Sequence, residues 1–307
     1  MIDILVLGEL NVDLILQGAV EPAWGQAEQL IDDATLTLGG SSAIFACGAA
    51  RLGLRVAFAT VVGDDLLGRF CRETLAARGV DTTGVVVDPA LRTGMTVILQ
   101  RPDDRAMLTF LGTIGALRVD HIGPALLRAA RHLHVGSYFL QAGLWPDLPA
   151  LFAAARARGA TTSLDPNWDP AGSWALPDTL LEQTDILLPN EAEACAIARA
   201  ADWRAALDTL AARVPIVAIK RGAAGTVAAQ GAMRAQATPP RVAVVDAVGA
   251  GDSFDAGFVY GVLAGWPLER SLALAVACGA LSTRAAGGTT AQPTLAEALA
   301  ALPAAQQ

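Results

Sequence analysis

Short apolar runs alternate along the chain with longer stretches in which apolar residues recur every three or four positions. The runs Ile4–Leu7, Val56–Val61, Val85–Val87, His132–Val135, Thr162–Leu164, Ile186–Leu188, Ile216–Ile219, Thr226–Ala229 and Val242–Val245 predict buried strands. The stretches Ser42–Leu52, Leu66–Arg78, Pro124–Arg131, Pro146–Arg158, Glu191–Ala198, Trp203–Ala212, Gly251–Ala264 and Leu268–Arg284 predict helices, and Leu295–Leu299 adds a short one. Such alternation implies an α/β fold with a mainly parallel sheet covered on both faces. Two segments break the rhythm. Leu14–Leu38 alternates irregularly around Pro22, Trp24 and Gly25, and Thr93–Thr113 holds two runs, Met95–Gln100 and Ala106–Phe110, around the polar stretch Arg101–Arg105. Residues 14–38 and 93–113 are therefore expected to form a small β layer inserted as a lid into a single domain spanning 1–307. An open strand edge there would suit pairing with a second copy.

The stretch Asp246-Ala247-Val248-Gly249-Ala250-Gly251-Asp252-Ser253-Phe254 joins a predicted strand to a predicted helix. A small-residue turn opening a helix presents backbone N–H groups and the positive end of the helix dipole, which together suit an anion. A carboxylate inside that anion site, Asp252, would repel a phosphate unless it serves to take a proton from an attacking hydroxyl. The competing account is a helix cap, since acidic residues are ordinary near helix starts. Gly39-Gly40-Ser41-Ser42 precedes another predicted helix; it reads either as a backbone left bare for a small ligand or as a loop with a serine cap. Asn11-Val12-Asp13 follows the first strand, with both polar residues on one side and within reach of a crevice at the strand ends. A carboxylate there suits adjacent sugar hydroxyls. Asn190-Glu191-Ala192-Glu193 reads as a capping box, and also as a water-mediated contact to magnesium. Lys220-Arg221-Gly222-Ala223-Ala224-Gly225 is a tight turn in which Lys220 could meet a phosphate. His132 and His134 share one strand face, but no third ligand is evident, so structural partners are the expectation.

Composition narrows the classes. Hydrophobic residues make up 53% of 307 and charged residues 17%, enough for a large core. The net charge of −8 argues against a nucleic-acid surface. Cys47, Cys71, Cys195 and Cys278 are widely spaced, as suits reduced thiols in the cytoplasm. The first residues lack a signal-peptide pattern, and no apolar run is long enough to span a membrane. The P-loop motif, the third glycine of a dinucleotide fingerprint and the G-x-S-x-G elbow are all missing.

Gly39-Gly40 through Gly53 and Asp246 through Gly257, joined by Asp165-Pro166-Asn167, Asn190-Glu191-x-Glu193 and the Gly222/Gly225 turn, resemble the motifs of the ribokinase-like (PfkB) carbohydrate kinases over essentially the whole chain. The resemblance implies a Rossmann-type three-layer α/β sandwich with an inserted β-sheet lid. It implies transfer of the ATP γ-phosphoryl group to a sugar hydroxymethyl. By the same resemblance Asp252 is the base, and Gly249, Ala250 and Gly251 form the anion hole. Asn11, Asp13, Gly39, Gly40 and Ser41 line the sugar. Asn190, Lys220, Gly222 and Gly225 serve the nucleotide. Glu193 meets Mg2+ through water, and Asp246 and Val248, with the Ala286–Gly288 segment, form a monovalent-cation loop whose need for K+ stays open. A homodimer through the lid is implied as well. Two positions depart from the pattern: Ile44 stands where many members carry a sugar-binding Asn, and Ala247 where Thr or Ser is usual. A nucleoside kinase on the same scaffold and a non-catalytic sugar or nucleotide sensor are the alternatives.

Overall fold

The computed structural model describes residues 1–101 and 104–302. Its strands are β1 (Ile4–Leu7), β2 (Asn11–Gln17), β3 (Asp33–Gly39), β4 (Val56–Gly63), β5 (Asp81–Asp88), β6 (Met95–Gln100), β7 (Arg105–Phe110), β8 (His132–Val135), β9 (Thr161–Leu164), β10 (Ile186–Leu187), β11 (Ile216–Lys220), β12 (Thr226–Gln230) and β13 (Met233–Ala237). The helices are α1 (Ser41–Arg51), α2 (Leu66–Ala77), α3 (Pro124–Ala129), α4 (Leu148–Arg156), α5 (Asp178–Leu181), α6 (Glu191–Ala198), α7 (Trp203–Ala211), α8 (Ala250–Leu263), α9 (Leu268–Ser282) and α10 (Leu295–Ala300).

Nine strands form one sheet in the order β13-β12-β11-β10-β9-β8-β1-β4-β5. Seven are parallel, and β12 and β13 close one edge as an antiparallel hairpin. Period-2 alternation divides the core between the two faces. Ile4 and Val6 of β1 join the apolar layer under α1, α2, α8 and α9, while Leu5 and Leu7 join the layer under α4, α5 and α7. The chain leaves β1 toward β4 and β5, then returns to β8 on the other side. That reversal opens a crevice beyond the carboxyl ends of β1 and β8, the usual ligand position in such sheets.

A small second sheet is present and runs β3-β2-β6-β7. Its β2 pairs with β3 from Asn11 opposite Gly39, earlier in the chain than Leu14. The hairpin of β6 and β7 is also present. Of its predicted polar turn, Pro102 and Asp103 lie outside the described residues.

One predicted strand does not form. Val242–Val245 belongs to the irregular chain between β13 and α8, with Val244 and Val245 66% and 58% exposed. The sheet edge it would need is taken by β13, whose sequence MRAQA carries little apolar pattern and was not foreseen. Among the described residues, no helix is long and apolar enough to cross a membrane.

Candidate active site

Every strand facing the crevice contributes a polar residue at its carboxyl end: Glu9 after β1, Ser137 after β8, Asp165 after β9, Asn190 after β10 and Lys220 closing β11. From the opposite side comes the start of α8. Its N-cap is Gly249, at φ 72°, and no side chain caps this end. The Ala250 amide makes a long bond to the Ala247 carbonyl (3.4 Å), and these first-turn amides stand at the positive end of a 14-residue helix. Asp252 lies in that turn without capping it, so the capping account does not hold for it.

The turn is tightly braced. A Cβ at Gly249 would fall 2.7 Å from the Gly288 Cα and 2.9 Å from the Ile44 Cγ2. Ile44, one of the two departures, thus packs its apolar side chain against the anion turn. Asp246 closes the loop beneath, accepting from the amides of Val248 (2.9 Å) and Gly287 (2.9 Å). The segments implied for a monovalent cation are therefore adjacent.

Asp252 is 9% exposed, and burial, reinforced by Asp165 and opposed by Lys220, pushes its pKa up to about 8. The nearby Ser41 hydroxyl works against that rise. One turn along α8, Asp255 is buried beside it, and Asp165, Asp252 and Asp255 bring carboxylate oxygens within 4.8 Å of one another. Lys220, the chain's sole lysine, balances this cluster by donating to Asp165 (3.2 Å) and Asp255 (3.0 Å). Burial alone would depress its pKa, but Asp165, Asp255 and Glu193 outweigh that and raise it. Burial pushes the Asp255 pKa up, with Lys220 opposing and Asp165 reinforcing the rise.

The opposite wall carries Asn11 and Asp13 side by side, with the Asn11 Nδ2 donating to Asp13 Oδ1 at 3.1 Å. Burial lifts the Asp13 pKa to about 7. Gly39 and Gly40 leave room for these side chains: a Cβ at Gly40 would sit 2.8 Å from Asn11 Oδ1. Neither Ser41 nor Ser42 caps α1, as one sequence reading held. Gly40 occupies the N-cap at φ 90°, and the amide and hydroxyl of Ser42 donate instead to Glu9.

On the far side of the anion turn lies a cleft of about 540 Å³, lined by Lys220, Gly222 and Gly225 below and by Pro240, Val242 and Phe254 among its apolar walls. Gly222 and Gly225 hold positive φ (56° and 88°) in the turn between β11 and β12. An apolar pocket leading to a helix N-terminus fits a nucleotide with its phosphates at the turn. Asn190 caps α6 as predicted, and both Glu193 carboxylate oxygens accept from Asn190. Burial, reinforced by Asp165, lifts the Glu193 pKa to about 7. With both oxygens engaged, Glu193 suits an ion reached through water.

His132 and His134 have hydroxyl partners: Thr161 and Ser163 for His132, and Ser163 for His134, each at 2.7 Å. His134 also stacks on Phe45. Three site residues escaped the sequence reading, Glu9, Ser137 and Asp255, while Asp165 and Asn167 entered it only as part of a motif, without a role. Asp255 follows Asp252 by three positions on a helix, a spacing that puts both on one face. Glu9 is a lone acid in an apolar run, a signal of burial with partners.

The pfkB family carbohydrate kinase pattern matches residues 1–295. A fructokinase of Klebsiella pneumoniae is 36% identical, with 94% of this chain and 95% of that protein aligned. A 5-dehydro-2-deoxygluconokinase of Geobacillus thermodenitrificans is 27% identical over 96% of this chain and 91% of its own length. Among solved structures, an E. coli protein described as a ribokinase II in complex with ATP and Mg2+ superposes with a TM-score of 0.86, at 25% identity over 98% of both chains.

Proposed function

From the premise that the chain belongs to the pfkB family of carbohydrate kinases, we propose that it transfers the γ-phosphoryl group of ATP to a hydroxymethyl group of a neutral sugar. The observation that carries this reading is the position of Asp252. Its carboxyl stands buried in the first turn of α8, whose neighbouring residues Ala250 and Gly251 line the apolar cleft, with Asp165, Lys220 and Glu9 acting on it.

Asn11, Asp13, Gly39, Gly40 and Ser41 hold the sugar, with the Asp13 carboxylate spanning neighbouring hydroxyls. The amides at Gly249, Ala250 and Gly251 take up charge growing on the phosphoryl oxygens. Asp252 removes the hydroxyl proton, a step that contributes roughly 10²–10⁴ in rate. Lys220, Gly222 and Gly225 bound the nucleotide cleft, and Asn190 bridges to Lys220 beside it. Mg2+, near Asn190 and Glu193 and reached through water, supplies charge neutralisation on the phosphates when bound. A cation such as K+ beside Asp246 and Val248 would stiffen the loop beneath the turn. The lid sheet excludes water from the transfer. An ATP donor and four unpaired cysteines fit the cytoplasm.

A neutral acceptor follows from charge. Asp165 and Glu9 both act on Asp252, Glu9 acts on Asp13 as well, and the ammonium of Lys220 is already shared between Asp165 and Asp255. The cation acting on Asp13 is Arg105 of the lid, an exposed side chain. A sugar acid or sugar phosphate would enter a negative field. A nucleoside is the second reading, favoured by Trp168, which is exposed directly after Asn167 and could stack a base. The lid's β7 is exposed along all six residues, including Met107, Leu108 and Phe110, an edge that suits pairing of two copies. Sedimentation at micromolar concentration tests this, and a monomer there rejects it.

The deciding experiment is a coupled ADP-release screen with Mg2+ over pentoses, hexoses, sugar acids, sugar phosphates and nucleosides, with Asp252→Asn alongside. Turnover on a neutral hexose or pentose, lost in the variant, supports the proposal. Binding without turnover on any acceptor points to a sensor, and wild-type turnover in Asp252→Asn rejects the assigned base.

A further inference from the structure

Glu9 lies two residues beyond β1, is 3% exposed, and its carboxylate is met by four donors. Oε1 accepts from the Ser137 hydroxyl at 2.8 Å and the Ser42 amide at 3.3 Å. Oε2 accepts from the Ser42 hydroxyl and the Gln141 side-chain amide, each at 2.8 Å. The donors come from the first turn of α1 and from the segment after β8, so one acid joins the exits of β1 and β8 to the start of α1. Burial raises the Glu9 pKa, and the hydroxyls of Ser42 and Ser137 oppose that rise. The phosphoryl-transfer scheme gives this acid no step. Apolar packing would hold the same elements together without burying a charge, so cohesion alone does not account for it.

The backbone is cut away to admit the acid and its serine. A Cβ at Gly8 would fall 2.0 Å from the Ser42 Oγ, and one at Gly136 would fall 2.8 Å from the same atom. A Cβ at Gly40 would lie 3.0 Å from the Glu9 Cγ and 2.9 Å from the Glu9 carbonyl oxygen. Ser137 and Asn167, which extend the network, both hold left-handed backbone, at φ 49° and φ 52°. Such conformations persist where the surroundings over-determine them, and they gather at functional sites.

The hydrogen bonds run in a fixed direction. The Trp168 N–H donates to Asn167 Oδ1 at 2.9 Å, which sets the Asn167 side chain with its Nδ2 toward the serines. Nδ2 donates to the Ser137 hydroxyl at 3.0 Å and to the Ser41 hydroxyl at 2.7 Å, so both of its protons are engaged. Ser137, receiving from Asn167, gives its single proton to Glu9. Ser41, also receiving from Asn167, has its own proton turned away from that amide. A donor in place of the Glu9 Oε1 would leave the Ser137 proton without its acceptor and loosen Asn167 between the two serines.

We infer that Glu9 is a positioning residue for the sugar: through Ser42 it seats the start of α1, and through Ser137 and Asn167 it holds the Ser41 oxygen as an acceptor, so that the Ser41 proton is presented to an oxygen of the sugar. This rests on the placement of Gly40 and Ser41 at the acceptor, and it gives Ser41 the part of donor there. The matching substrate offers an oxygen lone pair at that point, whether from a hydroxyl, a ring oxygen or a carbonyl.

The test uses Glu9→Gln, which keeps the shape and leaves one accepting oxygen of two, and Ser137→Gly, which removes the bridging hydroxyl and suits the left-handed backbone. Ser41→Ala accompanies them, alone and combined with each. The readouts are KM and Kd for the sugar identified by the screen, kcat, the Kd for ATP and the thermal midpoint. Loss of one hydrogen bond to the sugar predicts a roughly five- to tenfold rise in sugar KM for Ser41→Ala. Glu9→Gln and Ser137→Gly raise the sugar KM and Kd in the same direction, with kcat and the Kd for ATP close to wild type, as expected for lost ground-state binding. Each combination with Ser41→Ala falls well short of the product of its single effects, because the proton that Glu9 directs is already gone.

An acid that served cohesion alone would lower the thermal midpoint and the active fraction while leaving the sugar KM and Kd unmoved. That result in Glu9→Gln and Ser137→Gly overturns the inference, and so do fully multiplicative effects in the combinations. If Glu9→Gln does not fold, Ser137→Gly with Ser41→Ala carries the same comparison. Ser41→Ala separates the two levels. An unchanged sugar KM in that variant removes Ser41 from the acceptor wall, and the reading of the site fails there together with this inference. A raised KM in Ser41→Ala, with the Glu9 and Ser137 variants unmoved, fails this inference alone.

Discussion

Gly39 lies flush against Asp13: a Cβ at position 39 would fall 2.1 Å from the Asp13 Oδ1 and 2.3 Å from its Cγ. Gly39 pairs with Asn11 across β2 and β3 and lies diagonal to Asp13, and only a bare Cα leaves the carboxylate its place beside Asn11. Asp13 is a side-chain tip and can rotate away, so Gly39→Ala is expected to fold. Its carboxylate would then leave the sugar wall. Losing a hydrogen-bonded pair of this kind costs about 1.5–3 kcal/mol, so the sugar KM should rise ten- to a hundredfold while the Kd for ATP stays near wild type. An unchanged sugar KM would remove Asp13 from the acceptor site.

Lys220 and the acids around it make a second prediction. The ammonium is buried between Asp165 and Asp255. Removing one partner of a buried ionic group strands the other charges, at a cost of about 3–5 kcal/mol. Lys220→Met should therefore lower the thermal midpoint by several degrees and abolish turnover. The paired change Lys220→Met/Asp255→Leu removes one stranded acid and should recover part of the stability without recovering activity. If Lys220→Met melts with the wild type, the lysine does not hold the cluster together and acts toward the nucleotide alone.

The layering was legible in the chain because a parallel sheet buried on both faces leaves short, continuous apolar runs, such as Ile4–Leu7 and Ile216–Ile219, between amphipathic stretches. Val242–Val245 shows the limit of that signal. Four apolar residues are necessary for a buried strand, but a free sheet edge is also needed, and β13 occupies it with a sequence that barely alternates. At the site, Asp252 and the glycines stood out because their local turn has a chemistry of its own. Ser137 and Glu9 did not, since the contacts of Glu9 with Ser137 and Gln141 join positions 128 and 132 residues apart and exist only once the sheet has formed. Lys220 was legible as a charge beside the cleft, but not as the counter-ion of two buried acids.

The anion turn should be intolerant of any side chain at its first position. Gly249 needs φ 72°, and its Cα faces the backbone of Gly288 and the methyl group of Ile44. Backbone cannot rotate aside as a side chain can. Gly249→Ala combines left-handed strain of about 1 kcal/mol or more with that clash, so the amides should shift and kcat should fall at least a hundredfold. Ile44→Ala is the companion: it leaves a void beside the turn, and a core truncation of this size costs about 2–5 kcal/mol. A Gly249→Ala enzyme with wild-type kcat would show that the turn is not where the phosphoryl charge develops.

The acids that serve the site should oppose the stability of the ligand-free protein as pH rises. Burial raises Asp13 and Glu193 to about 7 and Asp252 to about 8, against carboxylate values near 4 in the unfolded chain. The folded state then binds more protons than the unfolded one across this interval. The stability these groups contribute is complete below about pH 4 and is lost as pH rises through 7 and 8, with a slope of about 1.4 kcal/mol per pH unit for each proton difference. The buried histidines act elsewhere. Burial lowers His132 to about 3, so its contribution is complete above 6.5 and is lost only as pH falls below that. Between pH 6.5 and 8.5 the carboxyls therefore decide the sign: the thermal midpoint of the wild type should fall, while kcat/KM should rise as Asp252 ionises. Asp252→Asn removes one of the ionising groups, so its midpoint should decline less steeply and lie above the wild type at pH 8.5. Parallel melting profiles for the two proteins across this range would mean that the Asp252 carboxyl is not held in the buried, proton-binding state from which its role as base is argued.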